Sequence, residues 1–237
     1  MTPEQAFDAL VRGDSSRPFV TYYDEASGER SELSVRSLAN WVAKTHHMLA
    51  DELGLGVGDT ALVDVGAHWI SYPVLLGCLT AGLSLTDADA EAADVAFVEP
   101  PRLAAAAGVP DVYAIAPDSA AVGFRGAPPD GAGDYVAAVR PQADAWAGVH
   151  LAASDDDPFT ARSSRAGALA AAADLAAARG LERGARILVT REWHGSDDWT
   201  LALLVPLALG GSVVLVRNAD DETVARRAGQ ERATVVD

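Results

Sequence analysis

The chain has 237 residues, 49% of them hydrophobic and 22% charged, enough to bury a substantial core without a disulfide or metal as staple. Eighteen Lys and Arg stand against 34 Asp and Glu, a formal charge of −16. That balance repels a phosphate backbone and excludes a general nucleic-acid surface unless basic residues cluster; the only basic doublet, Arg226 and Arg227, sits beside Asp220, Asp221, Glu222 and Glu231.

Thr2, Pro3 and Gln5 spell a helix start, with Thr2 as cap, Pro3 at the first helical position and Gln5 closing a capping box. Phe7, Leu10 and Val11 form its apolar face. Residues 19–23 read as a strand, 25–28 as a turn and 30–33 as the returning arm of a hairpin. Ser34 caps a helix whose positions Leu38, Trp41, Val42, Thr45, Met48 and Leu49 recur at helical spacing, with Gly54 as its stop. His46 and His47, being adjacent, diverge on its surface. A turn at 55–59 feeds an apolar strand at 60–65, followed by a helix over 69–81 and a short strand at 83–85. Pro73 is a cost to that helix unless it lies in the first turn. Further strands are expected at 94–98 and 112–115, separated by a Pro- and Ala-rich helix at 101–107. Strand, helix, strand connections of this length favour a mostly parallel sheet with helices on its faces.

From 117 to 133 the composition shifts to Ala, Gly, Asp and Pro, the mark of a surface connection. The expected fold class is therefore α/β, with two related sheet-and-helix subdomains at 1–116 and 134–237. The second begins with a long helix at 163–179, then a turn at 181–185, a strand at 186–190 and a returning strand at 210–216. LGVGDTALV at 55–63 aligns with LERGARILV at 181–189, an offset of 126 residues. This is either the ordinary recurrence of α/β units or a duplicated architecture, and both readings give two related assemblies. The closing ERATVVD approaches a strand that is either a sheet edge or a pairing surface for a partner chain.

Few residues carry chemistry. GLGVGD at 54–59 precedes its strand, whereas phosphate loops follow one and end at a helix N-terminus, so it reads as a turn. Asp155, Asp156 and Asp157 lack the spacing of a calcium loop and read as a solvated acidic segment. None of the five histidines falls in an HExxH or a Cys and His cluster, so no metal site is expected. Cys78 lies in the apolar run YPVLLGCLTAG and reads as a small buried thiol. A lone cysteine fits a reducing, cytoplasmic compartment. The opening MTPEQAFDAL does not resemble a signal peptide. The apolar stretch from Leu201 to Val216, broken by Pro206, Gly210 and Gly211, is short of the roughly 20 residues a bilayer span needs. No catalytic residue, metal or cofactor is assigned from these patterns. REWHGSDDW at 191–199 is the one polar and aromatic insertion between an apolar strand and an apolar helix, at the strand end where α/β sheets collect ligands. In one reading Trp193 lines an apolar pocket and His194 donates to an acyl or carboxylate group. In the other the tryptophans cover the sheet edge and Asp197 or Asp198 caps the next helix.

The order of these elements resembles the N-terminal subdomains of the adenylate-forming (AMP-binding) acyl-CoA synthetase and ligase family. The likeness runs through residues 34–65, LLGCLTAGLSL at 75–85 with its Ala81–Gly82 pair, LERGARILV, the Trp193 and His194 pair, and LLVPLALGGSVVLV at 203–216. In that family a Ser-, Thr- and Gly-rich loop bearing a lysine handles the ATP phosphates before the long helix. The corresponding LAASDDDPFTARSSR, residues 151–165, has no glycine or lysine and carries three aspartates, charge that repels ATP unless a metal compensates it. Lys44 is the only lysine. The resemblance implies that the family's adenine-recognition segment, magnesium-binding glutamate and C-terminal domain with its catalytic lysine fall outside this chain. The expectation is a truncated, non-catalytic relative that binds a small acyl or carboxylate compound, or associates with a partner protein or a second copy, with no nucleic acid and no membrane. The alternative is one half of a split adenylate-forming ligase, which alone would bring in ATP and magnesium.

Overall fold

A computed structural model describes residues 1–116, 122–151 and 153–236. Helix α1 (Pro3–Arg12) begins as its sequence dictates, with Gln5 N donating to the Thr2 hydroxyl and Thr2 N donating to the Gln5 side chain. The hairpin β1 (Pro18–Asp24) and β2 (Glu29–Ser34) follows. Ser34 Oγ then accepts from Ser37 N at the head of α2 (Val35–His47), which ends in a π turn over Met48–Glu52.

Next come β3 (Thr60–Asp64), α3 (Ser71–Ala81), β4 (Ser84–Thr86), β5 (Val95–Val98) and β6 (Asp111–Ala114). Pro73 does lie in the first turn of α3, where its missing N–H costs nothing. The helix expected at 101–107 is a 3-10 helix, Pro100–Ala106; seven residues with two prolines at the head suit the tighter turn. β7 (Gly133–Asp134) leads into α4 (Tyr135–Val139), capped by Asp134.

β8 (Pro158–Thr160) and β9 (Ser163–Ser164) form a small antiparallel hairpin. Its pairing engages Ser163 and Ser164, so α5 (Arg165–Ala178) starts two residues after the expected 163. The rest is β10 (Arg186–Val189), α6 (Ser196–Trp199), α7 (Val205–Leu209), β11 (Ser212–Arg217), α8 (Asp221–Glu231) and β12 (Thr234–Val235). A π turn at Thr200–Leu204 joins α6 to α7 just ahead of Pro206, whose ring blocks ordinary helical pairing.

The chain divides into two compact units. Unit 1 comprises Met1–Leu38, Ala67–Trp69 and Ala166–Asp237, and unit 2 comprises Ala39–Gly66 and Ile70–Arg165. Unit 1 holds a sheet of order β12-β10-β11-β1-β2, parallel except for β2, and unit 2 an all-parallel sheet of order β4-β3-β5-β6-β7. Strand pairing thus groups the residues differently from the linear division into 1–116 and 134–237. β1 pairs with β11, Val20 opposite Val213, which draws the first hairpin to the late strands. β7 extends the earlier sheet, Tyr113 opposite Gly133. Of the connection at 117–133, residues 117–121 lie outside those described.

In unit 1 the core joins Tyr23, Leu188, Val214 and Val216 to Val224 and Ala228 of α8. In unit 2 it gathers Leu62, Ala96, Val98, Ala106 and Val109. The closing strand lies at a sheet edge, with Val235 exposed; Asp237 is outside the described residues. Among those residues no helix is long and apolar enough to cross a membrane.

The 126-residue repeat falls on strands with the same topological role. β3 is flanked by the next strand, β4, on one side and by β5 on the other; β10 is flanked in the same way by β11 and β12. Each is therefore the strand at which its sheet changes direction of growth. That is where α/β sheets open a crevice at their carboxyl ends.

His46 and His47 occupy different environments. His47 Nδ1 lies 2.7 Å from Asp51 Oδ2, whereas His46 is buried at 7% exposure. Burial, then the neighbouring His47, pulls the His46 pKa below its ordinary 6.5, while Asp51 opposes and His150 adds to the shift. A depressed folded-state pKa gives stability that is present above 6.5 and lost as the pH falls through the folded value. The urea midpoint of the chain is expected to drop between pH 7.5 and 5.5, with a shallower drop in His46→Gln. Identical pH slopes for the two proteins would contradict this assignment.

Candidate functional site

In unit 1 the carboxyl end of β10 runs directly into Thr190–Gly195. Trp193 and His194 do not emerge there as a pair. Trp193 is 1% exposed and belongs to the core, while His194 faces solvent. Asp198, in the first turn of α6, fixes this arrangement. Its Oδ2 accepts from His194 N at 2.7 Å and its Oδ1 from Arg191 Nη1 at 3.3 Å. The cap expected at Asp197 or Asp198 is not formed: Gly195 is the N-cap with no side-chain cap bond, and both acids lie inside the helix, from where Asp198 reaches back to His194 N. The accessible side chains at this edge are His194, Arg191 (50% exposed and paired with Asp198), Glu192 (48% exposed and paired with Arg217) and Asp197.

A second set of residues, which local sequence patterns had not singled out, borders the same edge of unit 1. Tyr22 of β1 packs against His68 with the rings tilted at 56° and their centroids 4.3 Å apart, and the Trp69 ring centroid lies 5.6 Å from that of His68. His68 Nε2 approaches Glu29 Oε1 at 3.6 Å, and Ser31 Oγ donates to the same carboxylate at 2.8 Å. Arg217, the last residue of β11, pairs with Glu192 and donates to the Ala67 carbonyl at 3.3 Å. The approach of His68 is the main reason the Glu29 carboxyl titrates below its usual range, with the Ser31 hydroxyl adding to it against burial. Burial, with help from the charges of Asp24 and Glu29, pushes the Tyr22 hydroxyl far above its own. One signal was available in the sequence: His68 and His194 are separated by the same 126 residues as the repeated strands.

In unit 2 the segment aligned with a phosphate loop is shaped by its own acids. Asp157 Oδ2 accepts from Ser154 N at 2.6 Å, and the Asp157 carbonyl accepts from Arg165 N at 2.9 Å. The bond from Ser154 holds the Asp157 carboxyl below its ordinary pKa. Of the two arginines in the segment, Arg162 is exposed and Arg165 turns inward. Its side chain is wholly buried, with Nη1 and Nη2 donating to the carbonyls of Leu79 and Leu83 at 2.9 and 2.6 Å. Lys44 Nζ is likewise engaged by carbonyls, those of Arg140 at 3.0 Å and Gln142 at 2.6 Å. Ala152 lies outside the described residues.

The direction-changing strand of unit 2, β3, ends in a compact polar knot. Asp64 pairs with Arg102 at 2.6 Å, and Gly66 N donates to Glu99 at 2.7 Å. Among the described residues no group of three or more His, Cys, Asp or Glu is arranged to hold a metal ion. Cys78 is buried, and burial pushes its thiol well above the usual pKa, the state of an inert core thiol.

No family model matches the chain. It is 38% identical over 235 residues to a TIGR03089 family protein of Mycobacterium tuberculosis, an alignment covering 97% of this chain and 95% of that one. Among solved structures, an acyl-CoA synthetase from Brucella canis superposes with a TM-score of 0.76 at 18% identity, covering 99% of this chain and 47% of the enzyme. Acetoacetyl-CoA synthetase from Streptomyces lividans superposes at 0.75 and 17% identity, covering 98% and 41%. The chain thus spans less than half the length of these enzymes. Its fold is that of their N-terminal portion, two sheet-and-helix assemblies as the sequence led us to expect.

Proposed function

The chain belongs to the TIGR03089 family and has the fold of the N-terminal portion of acyl-CoA synthetases, and from that premise we propose that it is a non-catalytic relative that binds a small acyl or carboxylate compound. The observation that carries the reading is the state of residues 151–165. Transfer of a phosphoryl or adenylyl group requires cations and oriented donors around the phosphates. This segment instead presents Asp155 and Asp156 beside an Asp157 engaged in its own turn. Of the segment's two guanidinium groups, that of Arg165 is committed to backbone carbonyls, as is the sole lysine, and only that of Arg162 is exposed, beside three aspartates.

The ligand position we favour is the carboxyl edge of unit 1, where Arg191 and His194 offer accessible donors above the buried Trp193. A planar guanidinium beside an imidazole suits a carboxylate headgroup. Titration with short carboxylates and acyl-CoAs is expected to raise the melting temperature. His194→Ala and Arg191→Gln should each weaken the response by about tenfold, the scale of one charge-assisted hydrogen bond. A melting temperature unmoved by every carboxylate and acyl-CoA tried would overturn the reading.

A second reading has one feature in its favour, the exposed Val235 on the edge strand β12. An unpaired edge is a template for another strand. On this reading the chain is one half of a split ligase, completed by a partner that brings ATP and magnesium chemistry, or it associates with a partner protein or a second copy without catalysis. Carboxylate-dependent exchange of pyrophosphate into ATP in a copurified complex would favour the split enzyme over the binding protein.

A further inference from the structure

Arg217 ends β11 at the carboxyl edge of the unit 1 sheet, and it is held from behind. Its backbone lies opposite Asp24 of β1, and its carbonyl accepts from Glu25 N at 3.1 Å. Its side chain is 17% exposed, with Nη1 donating to the Ala67 carbonyl at 3.3 Å while Nη2 meets Glu192. Glu192 is a different kind of partner. It belongs to a stretch, residues 190–194, that is neither helix nor strand, and its side chain is 48% exposed. The pair therefore joins a cation fixed to the sheet to an acid on an irregular loop. Asp24 and Glu29 act on the Tyr22 hydroxyl together with Arg217 and Glu192, but each of those two acids has partners of its own. Asp24 accepts from Asn218 Nδ2 at 2.7 Å and from Ser27 Oγ at 2.8 Å, and Glu29 from Ser31 Oγ at 2.8 Å.

We propose that the Glu192 carboxylate is a built-in surrogate for a ligand carboxylate, which displaces it to reach the Arg217 guanidinium. This deepens the carboxyl-edge reading and rests on it: Glu192 stands between Arg191 and His194 in the chain, so the acid that leaves Arg217 is carried by the loop the ligand contacts. A planar guanidinium takes one carboxylate in place of another through the same charge-assisted bonds. The ligand has to overcome the high local concentration of a tethered acid. Water screens an exposed pair and keeps it weak, so a free carboxylate competes. The apparent affinity for carboxylates is then reduced by the fraction of molecules in which Glu192 occupies Arg217, and whatever draws the loop away raises it.

Butyrate is the probe, with butyramide as its neutral counterpart, titrated into the whole chain and followed by nuclear magnetic resonance. Glu192→Gln should bind butyrate about fivefold more tightly, the ceiling for releasing an exposed ion pair. Asp197→Asn removes the same charge from an exposed position of the same segment and should change the affinity by less than about twofold, as screening predicts for an acid not paired with Arg217. Adding Arg217→Gln to Glu192→Gln should erase the gain, and butyramide should not distinguish Glu192→Gln from the unaltered chain. Circular dichroism checks that each variant is folded, and if the double variant is not, the contrast between Glu192→Gln and Asp197→Asn decides. Butyrate affinity left unchanged or lowered by Glu192→Gln overturns the surrogate while the carboxyl-edge reading stands. A gain that Asp197→Asn matches also overturns it, as an effect of net charge. No butyrate binding by either the unaltered chain or Glu192→Gln overturns both. A gain that needs Arg217 but is indifferent to His194→Ala supports the surrogate and removes His194 from the site.

Discussion

Arg165→Met is expected to lose about 3 kcal/mol of stability, because it removes a buried guanidinium that donates to the Leu83 carbonyl and to the Leu79 carbonyl, the latter shared with Gly82 N. Arg165 begins α5, yet its guanidinium serves a different helix. Leu79 lies in the last turn of α3 and Leu83 just beyond it, with Gly82 between them in the left-handed conformation at φ 101°. Carbonyls at a helix C-terminus lack intrahelical partners and carry the negative end of the helix dipole. A buried cation answers both needs, and methionine matches the bulk without the donors. Urea denaturation at neutral pH measures the loss. Arg165→Lys should recover part of it, since an ammonium supplies charge but not two parallel donors at fixed spacing. A loss under about 0.5 kcal/mol, the scale of an ordinary surface substitution, would contradict the capping role.

Trp193→Ala should cost unit 1 about 3–5 kcal/mol, the usual range for deleting a large buried aromatic. The indole is 1% exposed and leads directly into the turn that Asp198 ties back to His194. Truncation leaves a void beneath that turn, so any weakening of ligand binding in this variant would mix packing with recognition. Trp193→Phe should lose much less, and the exposed His194→Ala almost nothing in stability while reporting on binding. Denaturant midpoints of the three variants, compared with their carboxylate titrations, separate these contributions. A stability loss below about 1 kcal/mol in Trp193→Ala would mean that the indole is not a packing element.

The sequence was most legible where structure is local. The capping box at Thr2 and Gln5, the first hairpin and the cap at Ser34 are each set by a few neighbouring residues, and each appears as read. Helix α8 was not read from the sequence, although Asp220 as cap with Asp221 and Glu222 in the first turn signal its start. Pairing between distant strands was not legible. β5 is buried at every position, and β1 and β11 at nearly every one, so alternation gives no clue to which apolar run lies beside which. That is why the first hairpin could not be assigned to the late sheet.

At the candidate site, the polarity of residues 191–199 marked the right loop. Its division into a buried Trp193 and an exposed His194 depends on where Asp198 reaches. The cluster of Tyr22, Glu29 and His68 is assembled from three separate segments of the chain, a grouping that no local pattern announces. Arg165 read as one more polar residue of the 151–165 segment. Its burial became visible only once α3 was in place beside it.

The most direct test of the central claim, that residues 151–165 do not hold a triphosphate, is calorimetric titration of the chain with ATP in the presence of magnesium. No saturable binding is expected into the millimolar range, whether Asp155, Asp156 and Asp157 are present or replaced by asparagine. Tight magnesium-dependent ATP binding that disappears on changing residues 151–165 would contradict it.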